Sequence, residues 1–261
     1  MLIFTIAQHR AQDTLALTSH QQAASRLAEV SSVKVPYLIF ACVLIASAAV
    51  VWRFRMLVVA SVEHEGAEVV VNGRTARSAW QVRQLVLGAL GIMLYCGAEV
   101  SIGSFIINFL AQPDIGGISS LQAARFASYY WTAAMVGRFA GSALLRRMRP
   151  GELLGICAVA ASLLVFITLF STGAVAVWSF LFVGLFNSIM FPTIFTLGID
   201  GMGKLTSQAS GILFLGVVRS ATLSVVQGAL ADRIGIHAAF ILPALYYLYV
   251  VYYGFRGSRH F

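Results

Sequence analysis

Charge is scarce in this sequence: 18 basic and 10 acidic residues make up 11% of 261, while 59% of the chain is hydrophobic and the mean hydropathy is +0.84. A chain so poor in ionic groups cannot hide its apolar surface in one water-soluble core, so its solvent is lipid. Lysine is nearly absent. Lys34 and Lys204 both fall in joints between apolar runs, which leaves no helix able to hold a retinal Schiff base and speaks against a photosensor. The three cysteines, Cys42, Cys96 and Cys157, lie inside apolar runs without CxxC or Cys/His spacing, so neither a disulfide framework nor a zinc site is expected. HExxH and GxSxG are missing, and His9, His20, His64, His237 and His260 are scattered near ends and joints. No catalytic constellation and no cofactor are therefore expected, and the chain does not read as an enzyme. Strict alternation is lacking as well, which excludes a membrane β-barrel.

What the sequence does contain is seven apolar runs, 35–52, 85–110, 126–145, 153–170, 174–199, 212–230 and 238–255. Crossing a bilayer takes about 20 mostly apolar residues, so these runs predict an all-α polytopic membrane protein. The net charge of +8 fits the positive-inside rule better than nucleic-acid binding. If the helices alternate, eleven of the eighteen basic residues share one side: Arg53, Arg55, Arg74, Arg77, Arg83, Arg146, Arg147, Arg149, Lys204, Arg256 and Arg259. That side is expected to be cytoplasmic, with the C-terminus, in a multi-pass protein of the inner membrane; the N-terminus is then outside. Arg138 and Arg219 fall within runs.

Residues 1–34 form a polar segment behind a short apolar start, Met1–Ala7, whose first basic residue, Arg10, comes too late for a secretory signal. A first helix follows at 35–55. Residues 56–81 read as a charged cytoplasmic linker, and 82–261 as a bundle of six helices whose short connections keep neighbours antiparallel.

Four ordered segments carry a resemblance: GAEVSIGSFIINFL (97–110), SYYWTAAMVGRFAGSALL (128–145), FPTIFTLGIDGMGKLTSQASG (191–211) and QGALADRIGIHAAFILPALYYL (227–248). They resemble the L-fucose and glucose/galactose proton-symporter family of the major facilitator superfamily. Residues 21–40 are similar to the loop before that family's sixth helix. The resemblance implies helices six to twelve of a twelve-helix transporter, with monosaccharide and proton as partners and an N-terminal six-helix bundle as the missing half. It also implies a chain that is truncated and inactive alone. A complete seven-helix receptor, or a helix-bundle scaffold, is the competing expectation.

Individual residues sharpen this. Glu99 lies mid-run, where a charged carboxylate costs about 2.5–3.5 kcal/mol, and shares a helix face with Tyr95 and Gly103, whereas Ser101, Ser104 and Asn108 share the opposite face. The hydroxyl and amide stripe suits a neutral sugar; Glu99 suits proton exchange or helix pairing. Tyr129, Tyr130 and Trp131 are expected at the outer end of their helix, where aromatic residues sit at the lipid interface, with Trp131 able to stack on a sugar if it faces a cavity. Ala133, Gly137 and Gly141 form a small-residue face for close helix packing. Asn187 and Pro192 interrupt a run, and breaks of this kind border transport cavities. The resemblance places Phe191 and Thr193 beside Asn187 on the sugar path, and likens Arg138, Arg146 and Arg147 to the superfamily's cytoplasmic gate. Arg219 departs from the family's small residues at its position and is left to pair with Glu99, to snorkel, or to serve no role.

The charge distribution makes a topological prediction. With the native cysteines removed, Ser78→Cys and Ser258→Cys resist an impermeant thiol reagent in intact cells; labelling of both overturns the topology.

Overall fold

The computed structural model describes residues 37–50, 53, 69–71, 74–76 and 78–258. The segment 1–34, most of 56–81 and the final residues with Arg259 lie outside the described residues. The chain divides into two units, Met1–Gly66 and Ala67–Phe261. In the first, helix α1 covers Tyr37–Val50. Its rise is about 21 Å at 1.5 Å per residue, less than the roughly 30 Å of a bilayer core.

The second unit opens with strands β1 (Val69–Val71) and β2 (Arg74–Ala76), paired antiparallel with Val70 opposite Thr75. Asn72-Gly73 stands between them in sequence, the pair that two-residue hairpins favour. This small hairpin is an addition to the all-helical expectation. Helices then follow one another: α2 (Arg83–Leu110), α3 (Ser120–Leu144), α4 (Pro150–Phe170), α5 (Gly173–Asn187), α6 (Met190–Ile199), α7 (Thr206–Ile234), α8 (Ile236–Ala239) and α9 (Ile241–Tyr252). A last π-turn covers Tyr253–Gly257.

Local chemistry explains these ends. Ser119 and Gln122 form a capping box that starts α3 six residues earlier than the apolar pattern predicts. Pro150 occupies the first turn of α4, where its missing N–H costs nothing, and Glu152 there complements the helix dipole. Gly235, at φ 89°, takes a backbone conformation closed to most side chains and separates α7 from α8. The run expected at 174–199 is two helices rather than one, because the chain turns at Ser188–Ile189 just before Pro192.

Among the described residues, five segments are long and apolar enough to cross a membrane: Arg83–Leu110, Pro150–Phe170, Gly173–Ile199, Gly203–Ile234 and Ile236–Gly257. α3 is comparably long, but Arg125, Ser128, Thr132 and Arg138 lie exposed along it and lower its hydropathy. α2 is the hub, packing on α6, α7 and α9, while α4 packs on α5 and α9, and α3 on α5. The core centres on Phe109, whose ring lies 4.6 Å from Phe180 and 5.2 Å from Phe240. Below it, Gln84 donates through its side-chain amide to the Leu197 carbonyl, and the Ala79 N–H donates to Gln208 at 2.9 Å.

Coverage is uneven. In the Gly203–Ile234 segment 28% of the most apolar stretch is buried, against 50–61% in the other four. α7 and α3 therefore present the open flanks of the unit, with Val218, Val225 and Phe139 each more than two-thirds exposed.

The approach of α3 to α5 depends on Gly137, where an added methyl would run into the Leu185 carbonyl and lie 2.6 Å from Ser188 Oγ. Gly137→Val is expected to destabilise the fold in detergent by about 1–3 kcal/mol, the usual cost of overpacking. Gly211→Ala, which would meet nothing within 4 Å, is the control and leaves the unfolding temperature within error of the parent.

Candidate functional site

A polar cluster forms where α2, α3, α5 and α9 meet. The break after Asn187 leaves the Asn187 carbonyl free to accept a hydrogen bond from the Tyr95 hydroxyl at 2.9 Å, and the Asn187 amide donates to the Tyr130 hydroxyl at 3.0 Å. All three residues are at most 1% exposed. Tyr247 is fully buried beside the same carboxamide, although its hydroxyl and Asn187 Oδ1 make no hydrogen bond. Such groups are costly where water is excluded, so the cluster is a specific construction rather than incidental packing.

Glu99 stands at the rim of this cluster. Its carboxylate lies against the Tyr95 hydroxyl and within reach of the Arg138 charge, and its own charge acts on Tyr130. One turn along α2, Gly103 leaves room for the indole of Trp131, 3.7 Å from where a methyl would stand. That indole meets the Tyr130 ring edge-on at 5.3 Å and 88°, and the residue is 56% exposed. A half-buried carboxylate, a buried phenol and an open flat ring thus share one stretch of surface.

The remaining sequence candidates separate. Ser104 and Asn108 are exposed on α2, whereas Ser101 is fully buried with no hydrogen-bonding partner, so one helix face supplies two different environments. Phe191 is half-buried and stacks on Phe195 at 6.2 Å. Thr193 is buried, and its hydroxyl donates at 2.7 Å to the Ile189 carbonyl, which also accepts the Thr193 backbone N–H at 3.2 Å. Arg138, Arg146 and Arg147 are exposed along the end of α3 and the turn after it. Arg219 is exposed on α7, and the arginine whose charge acts on Glu99 is Arg138.

Two placements differ from the sequence reading. Tyr130 and Trp131 stand some ten residues into α3, not at its end, because the capping box moves the helix start to Ser120. Gln227 and Ser224, on α7, carry buried polar atoms without partners; a glutamine inside an apolar run was the available signal.

Broken helices beside a polar surface recur in membrane carriers. No protein-family model matches the chain. It is 48% identical over 232 residues to the glucose/galactose transporter of Brucella abortus, covering 89% of this chain and 55% of that protein. It is 29% identical over 250 residues to the L-fucose-proton symporter of Escherichia coli, covering 94% and 56% respectively. Its fold superposes on a crystal structure of the E. coli fucose:proton symporter with a TM-score of 0.74 at 25% identity, covering 95% of this chain and 61% of that one. A second structure, of this major facilitator superfamily transporter in its outward conformation, gives 0.73. The resemblance drawn from the four motifs therefore holds in both sequence and fold: the chain is related to the fucose and glucose/galactose symporters of the major facilitator superfamily. It spans about half the length of the curated relatives it matches.

The hydrogen bond between Asn187 and Tyr130 is open to a double-mutant cycle of Asn187→Ala and Tyr130→Phe. Unfolding in detergent should show a coupling of about 0.6 kcal/mol, and no more than about 1.7, as for other side-chain pairs inside membrane proteins. Strict additivity would show the bond to be absent.

Proposed function

We propose that this chain supplies the C-terminal bundle of a proton-coupled monosaccharide permease of the inner membrane, acting by alternating access against an N-terminal six-helix bundle. The carrying observation is the meeting of half-buried Glu99 with exposed Trp131 around Tyr130. A hexose or fucose presents an apolar ring face and a rim of hydroxyls. Trp131 stacks on the ring face, while Ser104 and Asn108 bond hydroxyls from α2, and Asn187, Phe191 and Thr193 border the path where α5 gives way to α6. Ser101 adds a hydroxyl behind them.

Glu99 takes the proton. Closing the path removes water from the carboxylate, and protonation removes the charge that would otherwise be stranded there. Arg138, Arg146 and Arg147 close the cytoplasmic side against the other bundle. In this reading residues 56–81 link the bundles, 82–261 form the second one, the C-terminus is cytoplasmic, and no chemistry is done on the sugar. Relatives named as glucose/galactose and L-fucose-proton transporters support it.

One bundle has no opposing wall to rock against. In reconstituted vesicles, proton-driven uptake of glucose, galactose or fucose is therefore expected when a first bundle from the Brucella relative is co-expressed, and not from this chain alone; uptake by the chain alone would overturn the proposal. In the paired form, Trp131→Ala should raise KM up to about tenfold, matching the 0.5–1.5 kcal/mol of a lost aromatic contact. Glu99→Gln should abolish accumulation while preserving sugar exchange.

A further inference from the structure

At the seam of α2 and α7, four polar atoms find no partner among the described residues: Ser101 Oγ, Ser224 Oγ, and both Nε2 and Oε1 of Gln227. Ser101 and Gln227 are each 0% exposed. The two helices run parallel, since Gly216 meets Ala89 and Met93, Gly97 meets Leu223, and Gly228 lies 3.7 Å from Phe105 by the same measure. One turn beyond the Gly97–Leu223 contact stand Ser101 on α2 and Gln227 on α7, and Ser224 lies one turn before Gln227 on the same side. Register therefore brings all three to one stretch of the seam.

An entire carboxamide left without partners inside an apolar bundle requires an occupant. The chemistry of the set defines it. The amide offers two donors and one acceptor oxygen, and each serine hydroxyl can donate or accept. None of the three residues carries a charge. A carboxamide places its N–H and C=O side by side, so one hydroxyl can accept from Nε2 while its neighbour donates to Oε1. Two adjacent hydroxyls of a sugar fit this pattern. Glycines at 97, 216 and 228 let α2 and α7 approach closely at this level, with Leu223 seated over Gly97 and the Phe105 ring over Gly228.

We infer that Ser101, Ser224 and Gln227 form a subsite for a vicinal pair of sugar hydroxyls, uncovered when α2 and α7 separate, and that Gln227 sets selectivity for that pair. The inference rests on the permease reading. Gln227→Leu tests it in the chain paired with a first bundle, because leucine approximates the volume and removes both polar atoms. Uptake of glucose by the variant should show KM raised tenfold or more, with the folded yield and unfolding temperature equal to or above the parent's. For the monodeoxyglucose that the parent discriminates against most, the variant should show no additional loss. The double variant Ser101→Ala, Ser224→Ala gives the same test by smaller changes should Gln227→Leu fold poorly.

An unchanged glucose KM in a folded variant, or losses that add for variant and deoxy sugar, would overturn the subsite and leave a buried water as its occupant, with the permease reading intact. If the unmodified pair neither takes up nor binds radiolabelled glucose, galactose or fucose, the permease reading itself fails and the subsite with it.

Discussion

Where α5 stops at Asn187, a backbone carbonyl must find a donor in surroundings that exclude water. The Tyr95 hydroxyl of α2 supplies it, and the Asn187 side chain returns a bond to Tyr130 of α3. Three helices are thereby held at one level by two hydrogen bonds. Glu99 is positioned because Tyr95 is fixed beneath it, and Trp131 because Tyr130 braces its edge. The small residues of α3 belong to the same construction: only a side chain as short as that of Gly137 lets α3 come close enough to the Leu185 carbonyl for Tyr130 to reach the amide.

The open flanks of the unit follow from what covers α2. α6, α7 and α9 pack around it, while α3 and α7 have exposed outer faces in this unit. Those faces are not uniformly apolar. Thr132 and Arg138 on α3, and Arg219 and Thr222 on α7, stand exposed among leucines, valines and phenylalanines. A wholly lipid-facing surface would dispense with such groups, so a partner bundle or a water-filled path is the surrounding that suits them.

In the proposed permease the candidate groups have two characters. Glu99, Trp131, Ser104 and Asn108 are wholly or partly accessible and can meet a ligand as they stand, whereas Ser101 and Gln227 are sealed in a seam. A carrier that alternates between states needs both kinds of group, because contacts made only after a helix moves are what tie ligand binding to that movement.

The sequence alone determined that this is a helical membrane protein related to the fucose and glucose/galactose symporters, because low charge and long apolar runs are properties of local composition and the GAEVSIGSF and FPTIF segments are contiguous. It also marked Glu99, Asn187 and Pro192, since a charge, an amide and a missing N–H are each out of place in lipid whatever surrounds them. What those residues touch was decided by tertiary structure. Tyr130 reads as an interfacial aromatic until the capping box at Ser119 extends α3 and the Gly137 contact carries the ring into the bundle. Ser101 shares a helix face with Asn108 on paper, yet α7 covers one and leaves the other open. Gln227 drew no notice in an apolar run, for its meaning lies in the parallel register of two helices more than a hundred residues apart in the chain, which no local pattern records.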